Sequence, residues 1–325
     1  MFHDKNLPDD MARQTFNLKD NRDWKMSAKR KSIIADNNWT EKITQILYRP
    51  FDVRWIFYHK DAIDFGRPEV MGHMLQPNLA LIVGRAGHVV GPDTWNLLYC
   101  GTEIIDGNVY YRGGGTVFPL YLYFDPDEKD LLSKQGEKKA NIGPTLLKGL
   151  KEVYHRQPSP EEILYYIYAV LYSPSYRTQY ADFLKTDFPR VPFTKDRELF
   201  LKLGKLGEKL VDLHLVRSKE LNKPICRFQG KGGNRLEKQA YDQKEKRVDI
   251  NNTQYFEGVE SEVWEYQIGG YQVLDKWLKD RKKRLLSMED IKHYCRVVTA
   301  LARTIDIQAE IDQLYPQVEK DLVAV

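Results

Sequence analysis

Apolar positions change their period twice along the chain. Between about residues 41 and 125 they fall in short runs bounded by turn residues, the signature of strands. Arg54-Trp-Ile-Phe-Tyr-His59 is aromatic and β-branched. Asn78 to Val83 is an apolar run closed by Gly84 and Gly87, and Thr94 to Cys100 is another. Glu103 to Tyr111 carries Asp106-Gly107, which predicts a hairpin turn. Val117 to Phe124 is the last run, with Pro119 marking an edge or a strand start. Gly113-Gly-Gly115 reads as a flexible turn, and Pro68 to Leu75 as one helix among the strands.

From about residue 144 the spacing becomes helical. Ser159-Pro-Glu-Glu162 combines an N-cap, a proline at the first helical position and acids in the first turn. Ile163, Tyr166, Ile167, Val170 and Leu171 then share one face. Ser173-Pro174 predicts a second helix through Tyr176, Tyr180, Phe183 and Leu184, broken at Asp187-Phe-Pro-Arg-Val-Pro192. Asp196 to Leu215 reads as a third, with Leu199, Leu203, Leu206, Leu210 and Leu213 inward. Residues 224–262 return to strand and turn. Helices are expected again over Gly270–Arg284 and from Ser287 to about Glu310. The first forty residues are polar, with a short helix expected around Ala28–Ile34. They read either as the middle of something larger or as a natural domain start.

The fold class is therefore α+β: a β-rich mixed domain over 41–140, then a mainly helical domain over 141–325 with a glycine-rich β insertion near 224–262. Residues 1–40 form a lead-in. A length of 325 residues suits two packed domains or one large one. With 42% hydrophobic and 12% aromatic residues, the composition is globular rather than disordered. No apolar run approaches membrane-spanning length, and the polar start is no signal peptide. Three scattered cysteines give neither a disulfide framework nor a metal knuckle, so a reduced, cytoplasmic protein is expected. The net charge of +4 permits nucleic-acid binding without demanding it, so the distribution of charge matters more.

Several segments together resemble one family. They are Tyr48-Arg-Pro-Phe-Asp52 with Arg54-Trp55 and Tyr58; Arg67-Pro68 with Met71 and His73; and Phe118-Pro-Leu-Tyr121. Further on come Tyr166-Ile-Tyr-Ala169 with Leu171 and Ser173-Pro174, Tyr176-Arg177 with Tyr180, Phe183-Leu-Lys185 and Asp187-Phe-Pro-Arg190. Gly207, Leu210 and Leu213-His214 follow, then Ile268-Gly-Gly-Tyr271 with Lys276-Trp277-Leu278. The order of these motifs over about residues 40 to 310 is similar to the C-terminal specificity (target-recognition) region of type ISP restriction-modification enzymes and related adenine-N6 DNA methyltransferases. Each motif is weak alone.

The resemblance implies a region that reads double-stranded DNA for a methyltransferase domain N-terminal to it. That domain takes its methyl group from S-adenosylmethionine, and helicase and nuclease domains often precede it. No such upstream domain is present in this sequence. Adenine-N6 methylation needs an Asn/Asp-Pro-Pro-aromatic tetrapeptide, and no Pro-Pro occurs. Phe228-Gln-Gly-Lys-Gly232 mimics a methyl-donor turn, but no apolar helical face follows it, so it reads as a glycine-rich hairpin or loop. A phosphate loop is absent, which excludes an ATP motor of that type. The Asp182–Asp187 region lacks the carboxylate and lysine partners of a nuclease site. His73 and His214 match family positions but read as structural. No catalytic, cofactor or metal residue is assigned to this chain.

DNA contact needs cations for phosphates and a few side chains for base edges. One basic concentration holds Arg227, Lys231, Arg235 and Lys238, among glycines that could bring backbone amides close to phosphates. The other is Lys279, Arg281, Lys282, Lys283 and Arg284, which also suits the C-terminal end of a helix. Arg49, Arg54 and Arg67 lie in segments that carry the resemblance, and are expected to hold structure or phosphates. Base reading is then expected from the loops at 84–94 and 106–116, with Arg85, His88, Asn108 and Arg112. Two other readings stay open: a small methyltransferase with divergent motifs, and a module that docks on a separate catalytic subunit.

Overall fold

The computed structural model describes residues 4–21, 24–85, 94–123 and 138–324. The lead-in forms α1 (Asp9–Thr15) and α2 (Met26–Ala35). It is tied to the β-rich part by Trp24 Nε1, which donates to the Asp61 carbonyl at 2.8 Å, and by Lys29–Asp61 at 2.9 Å.

The β-rich part contains β1 (Ile43–Arg49), β2 (Asp52–Phe57), α3 (Pro68–Met74), β3 (Ala80–Gly84), β4 (Leu98–Gly101) and β5 (Ile104–Ile105). It continues with β6 (Gly115–Pro119), β7 (Tyr121–Tyr123) and β8 (Lys138–Ala140). β1 and β2 form an antiparallel ribbon, and β5 joins β1 in parallel at Ile46 and Leu47. β3 lies between β4 and β6, so Pro119 sits on an edge strand, where its missing N–H costs no ladder bond.

The predicted hairpin at Asp106-Gly107 does not form. Ile104 and Ile105 are taken by β1, and residues 106–114 are turns instead. Burial decides this: Val109 and Tyr110 are enclosed in the core, and the Tyr110 hydroxyl donates to the Ile82 carbonyl at 2.7 Å.

The helical part begins with α4 (Pro144–Tyr154), α5 (Pro160–Tyr172), α6 (Pro174–Gln179), α7 (Ala181–Leu184) and α8 (Arg197–His214). Ser159 is the expected N-cap and forms a capping box with Glu162, and Asp196 caps α8. The helix expected after Ser173 is interrupted at Tyr180, where ψ of 18° ends α6 and begins α7. α5 packs so closely on α8 that a Cβ on Gly207 would lie 1.8 Å from the Tyr165 carbonyl oxygen.

β9 (Arg227–Gln229), β10 (Ala240–Asp242), β11 (Arg247–Asp249) and β12 (Tyr255–Glu257) build a sheet in the order β10-β11-β12-β9. After α9 (Ser261–Trp264), β13 (Gln267–Ile268) and β14 (Tyr271–Gln272) form a small ribbon. α10 (Val273–Lys279) is shorter than the Gly270–Arg284 span expected for it. α11 (Met288–Val318) runs past the expected end at Glu310 because Ile311, Tyr315 and Val318 continue its buried face.

One core passes through both parts. The Tyr99 hydroxyl donates to the His214 carbonyl at 2.7 Å and accepts from Phe51 N at 3.0 Å. Asp52, 2% exposed, accepts from both terminal nitrogens of Arg281, at 2.9 and 3.1 Å, and is also bonded by Arg54. No described helix is long and apolar enough to cross a membrane.

Candidate nucleic-acid interface

The 230–235 segment is shaped by the turn at 251–254. Gly230 adopts φ of +92°, and a Cβ there would lie 1.9 Å from the Thr253 carbonyl oxygen. Gln254, 2% exposed, accepts from Asn234 N at 2.9 Å and donates to Asn234 Oδ1 at 2.8 Å. Gly230 and Gly232 thus serve packing against residues 253–254, a different role from the expected approach of amides to phosphate.

Beyond that turn the backbone at 234–236 is stitched to 283–286. Leu236 N donates to the Arg284 carbonyl at 2.9 Å, Lys283 N to Leu236 at 2.7 Å and Leu286 N to Asn234 at 2.9 Å. Arg235 pairs with Leu285 as an isolated bridge. The two basic concentrations, distant in sequence, therefore meet. Arg235 lies beside Lys282, Lys283 and Arg284, with Lys231 and Lys238 flanking it along the chain. All six are exposed, and none has a side-chain ion pair among the described residues.

The second run divides by role. Lys279 pairs with Asp275 at 2.5 Å. Arg281 is committed to Asp52 and lies 3.6 Å from the Trp277 ring centroid. Burial alone would raise the Asp52 pKa, but hydrogen bonds and charge from Arg281 and Arg54 outweigh it and hold the carboxyl below its usual range. Lys282 to Arg284 lie past the end of α10, so the helix terminus does not account for them.

The candidate base-reading residues lie elsewhere. Arg85, at the end of β3, is exposed over the Phe188 ring at 5.2 Å. His88 falls at 86–93, outside the described residues. Asn108 and Arg112 are exposed on the 106–112 turn. That turn is anchored at three points: Asp106 to Arg49 at 3.0 Å, Tyr111 N to the Gly269 carbonyl at 2.7 Å, and Tyr111 edge-on to Tyr271. Arg112 has φ of +60° and lies 5.3 Å from the Tyr111 ring.

Arg49, Arg54 and Arg67, expected to hold structure or phosphates, each bond a neighbouring group of the fold. Arg67 donates to the Ile105 carbonyl, Arg54 bonds Asp52, and Arg49 bonds Asp106. Tyr48 is flanked by Arg49 and Arg54, both within 3.8 Å of its ring centroid. Sequence reading did not pair Asp52 with Arg281. The available signal was an acid set within the aromatic strand segment Tyr48–Tyr58, where burial demands a cationic partner.

His73 Nδ1 accepts from Tyr123 N, and His214 lies buried between the Tyr168 and Thr304 hydroxyls. Among the described residues no three His, Cys, Asp or Glu side chains gather as a metal site.

The molecule is thus an α+β domain presenting a patch of cations without ion pairs among the described residues, and an exposed turn anchored at Arg49, Gly269 and Tyr271. The model of the Type ISP C-terminal specificity domain matches residues 2–310, and the chain belongs to that family. No curated protein compared with it matches.

Three solved structures share the fold. The ATP-dependent Type ISP restriction-modification enzyme LlaBIII bound to DNA is 21% identical with a TM-score of 0.68, over 95% of this chain and 20% of that one. A DrdV–DNA complex is 21% identical with a TM-score of 0.69, over 95% and 32%. A nuclease-deletion mutant of the Type ISP enzyme LlaGI, with a DNA substrate mimic, is 18% identical with a TM-score of 0.61, over 94% and 24%. This chain spans a fifth to a third of their length. The family inferred from the ordered short motifs is the family found.

Proposed function

We propose that this chain selects the DNA sequence on which a larger, cytoplasmic restriction-modification polypeptide acts. Membership of the specificity-domain family supports this, as does the DNA present in the structures it resembles. The observation that carries it is the convergence of Arg235 with Lys282–Arg284 into one exposed, unpaired cationic surface.

Lys231, Arg235, Lys238, Lys282 and Arg284 contact phosphates. Arg85, His88, Asn108 and Arg112 face base edges. Residues 1–40 lead in from catalytic domains, 41–140 carry recognition, and 141–325 support it. Adenine-N6 methylation with S-adenosylmethionine belongs to the parent polypeptide, and this chain alone transfers no methyl group.

Duplex binding measured by fluorescence anisotropy at increasing salt tests the reading. Each neutralised phosphate contributes about −0.9 to the slope of log K against log salt, so a few contacts give a slope of roughly −3 to −5. Absence of duplex binding at low salt, or binding indifferent to salt, would overturn DNA recognition by this chain. Radiolabel passing from S-adenosylmethionine to DNA would instead favour the divergent-methyltransferase alternative.

A further inference from the structure

The cationic seam carries an apolar side chain in its midst. Leu285 is 66% exposed, and Met288, at the start of α11, is 60% exposed. A lone surface leucine is ordinary, but this one is held in place. It stands directly opposite Arg235 in the antiparallel bridge, so the two side chains share one face of the seam. Their neighbours Leu236 and Leu286 are buried in the core. Backbone bonds fasten the strand on either side of Leu285, from Leu236 N to the Arg284 carbonyl and from Leu286 N to the Asn234 carbonyl. The chain turns into the seam at Lys283, where φ is +67° and the N–H donates to the Leu236 carbonyl.

The surroundings of Leu285 are of one sign. Lys231 and Arg235 lie within residues 230–236, and Lys282, Lys283 and Arg284 within 282–288, and neither stretch holds an acid. All five cations are exposed. An apolar projection with a cationic rim fits a ligand that has anionic walls and an apolar interior. The DNA minor groove is such a ligand. Phosphates line its edges, sugars and stacked bases lie within, and its width of about 6 Å admits an aliphatic side chain.

We propose that Leu285 enters the minor groove of duplex DNA and wedges into one base step, while the flanking cations hold the phosphates on either side. The proposal rests on the DNA-recognition reading above and deepens it. A leucine side chain has no donor or acceptor, so the wedge opens the stack without reading base edges. The opened step kinks the duplex by about 20–90° towards the major groove.

End-to-end energy transfer in a short random-sequence duplex, labelled at both ends and titrated with the whole chain, tests this. Wild type raises the transfer as it binds. Leu285→Ala binds with the same salt slope, because the phosphate contacts remain, but leaves the transfer at the value of free DNA. Its affinity falls by about threefold to tenfold, the scale of burying the lost methyl groups. Leu285→Met, which keeps an apolar wedge, keeps the bend. The exposure of Leu285 makes both substitutions mild for folding, and thermal melting checks that. Duplex bound by wild type without a rise in transfer, or a bend that survives in Leu285→Ala, overturns the wedge while DNA recognition stands. Leu285-dependent binding to anionic phospholipid vesicles, with bound DNA left straight, overturns it in favour of a lipid surface. No duplex binding at all overturns the recognition reading and the wedge with it.

Discussion

His214 is enclosed by aromatic rings. Tyr99 stacks on it at 5.4 Å, while Phe51, Tyr168 and Tyr172 surround it within 5.7 Å. Burial drives its pKa down to about 3, with Arg177 adding to the effect. The native imidazole therefore stays neutral where the unfolded one, near 6.5, takes a proton. Below pH 6.5 the unfolded state binds more protons, so stability falls as pH drops towards 3. Between pH 7 and pH 5 this single residue costs about 2 kcal/mol. His214→Gln keeps polar atoms for Tyr168 and Thr304 and removes the titration. Urea unfolding at the two pH values should show a pH dependence flatter by about that amount. An unchanged dependence would place the acid sensitivity elsewhere, His293 being the next candidate because burial also lowers its pKa.

Elements with local punctuation were legible in the sequence. Ser159, Asp196 and Ser287 each cap a helix through their own side chain, so the signal is complete within four residues. What failed was decided at a distance. Asp106-Gly107 has hairpin chemistry, yet β1 captures Ile104 and Ile105, and the demand to bury Tyr110 overrides the turn signal. The cationic patch was half legible: both runs were visible, but not the backbone pairing at Arg235 and Leu285 that joins them. No sequence pattern reveals that the Trp277 N–H is buried without an acceptor among the described residues. The α5–α8 contact has a similar hidden requirement. Gly207 lets the helices approach until there is no room for a methyl group against the Tyr165 carbonyl. Gly207→Ala gains up to about 1 kcal/mol of helix propensity, but overpacking of this kind typically costs about 1–3 kcal/mol. A net loss of about 1 kcal/mol in urea unfolding is expected. A stabilised variant would show that the helices can move apart.

At the scale of the molecule, the exposed turn and the cationic patch are set on one frame. The turn is bound to Arg49 and Gly269, the patch to Asn234 and Leu236, and the Asp52–Arg281 pair links the two sides. This arrangement lets positioning and reading be separated by mutation. Arg235→Ala with Arg284→Ala removes two sequence-independent contacts. It should weaken every duplex alike and shallow the salt slope by about 1 per contact. Arg112→Ala removes a side chain with the fork that guanine accepts. It should cost about 1–3 kcal/mol on the cognate site and much less on other sequences. The strained φ of Arg112 and the bracing of its turn from below favour a fixed reader over a solvated one. Mapping methylation across a genome, with each variant built into the parent polypeptide, reads both effects at once. The patch variant should lower methylation at all sites while keeping their sequence. The Arg112 variant should admit new sequences at one position of the site. Relaxed site choice in the patch variant would move the reading surface to the 234–286 seam. Unchanged choice in the Arg112 variant would leave Asn108 on the same turn and Arg85 with the 84–94 loop as the remaining readers.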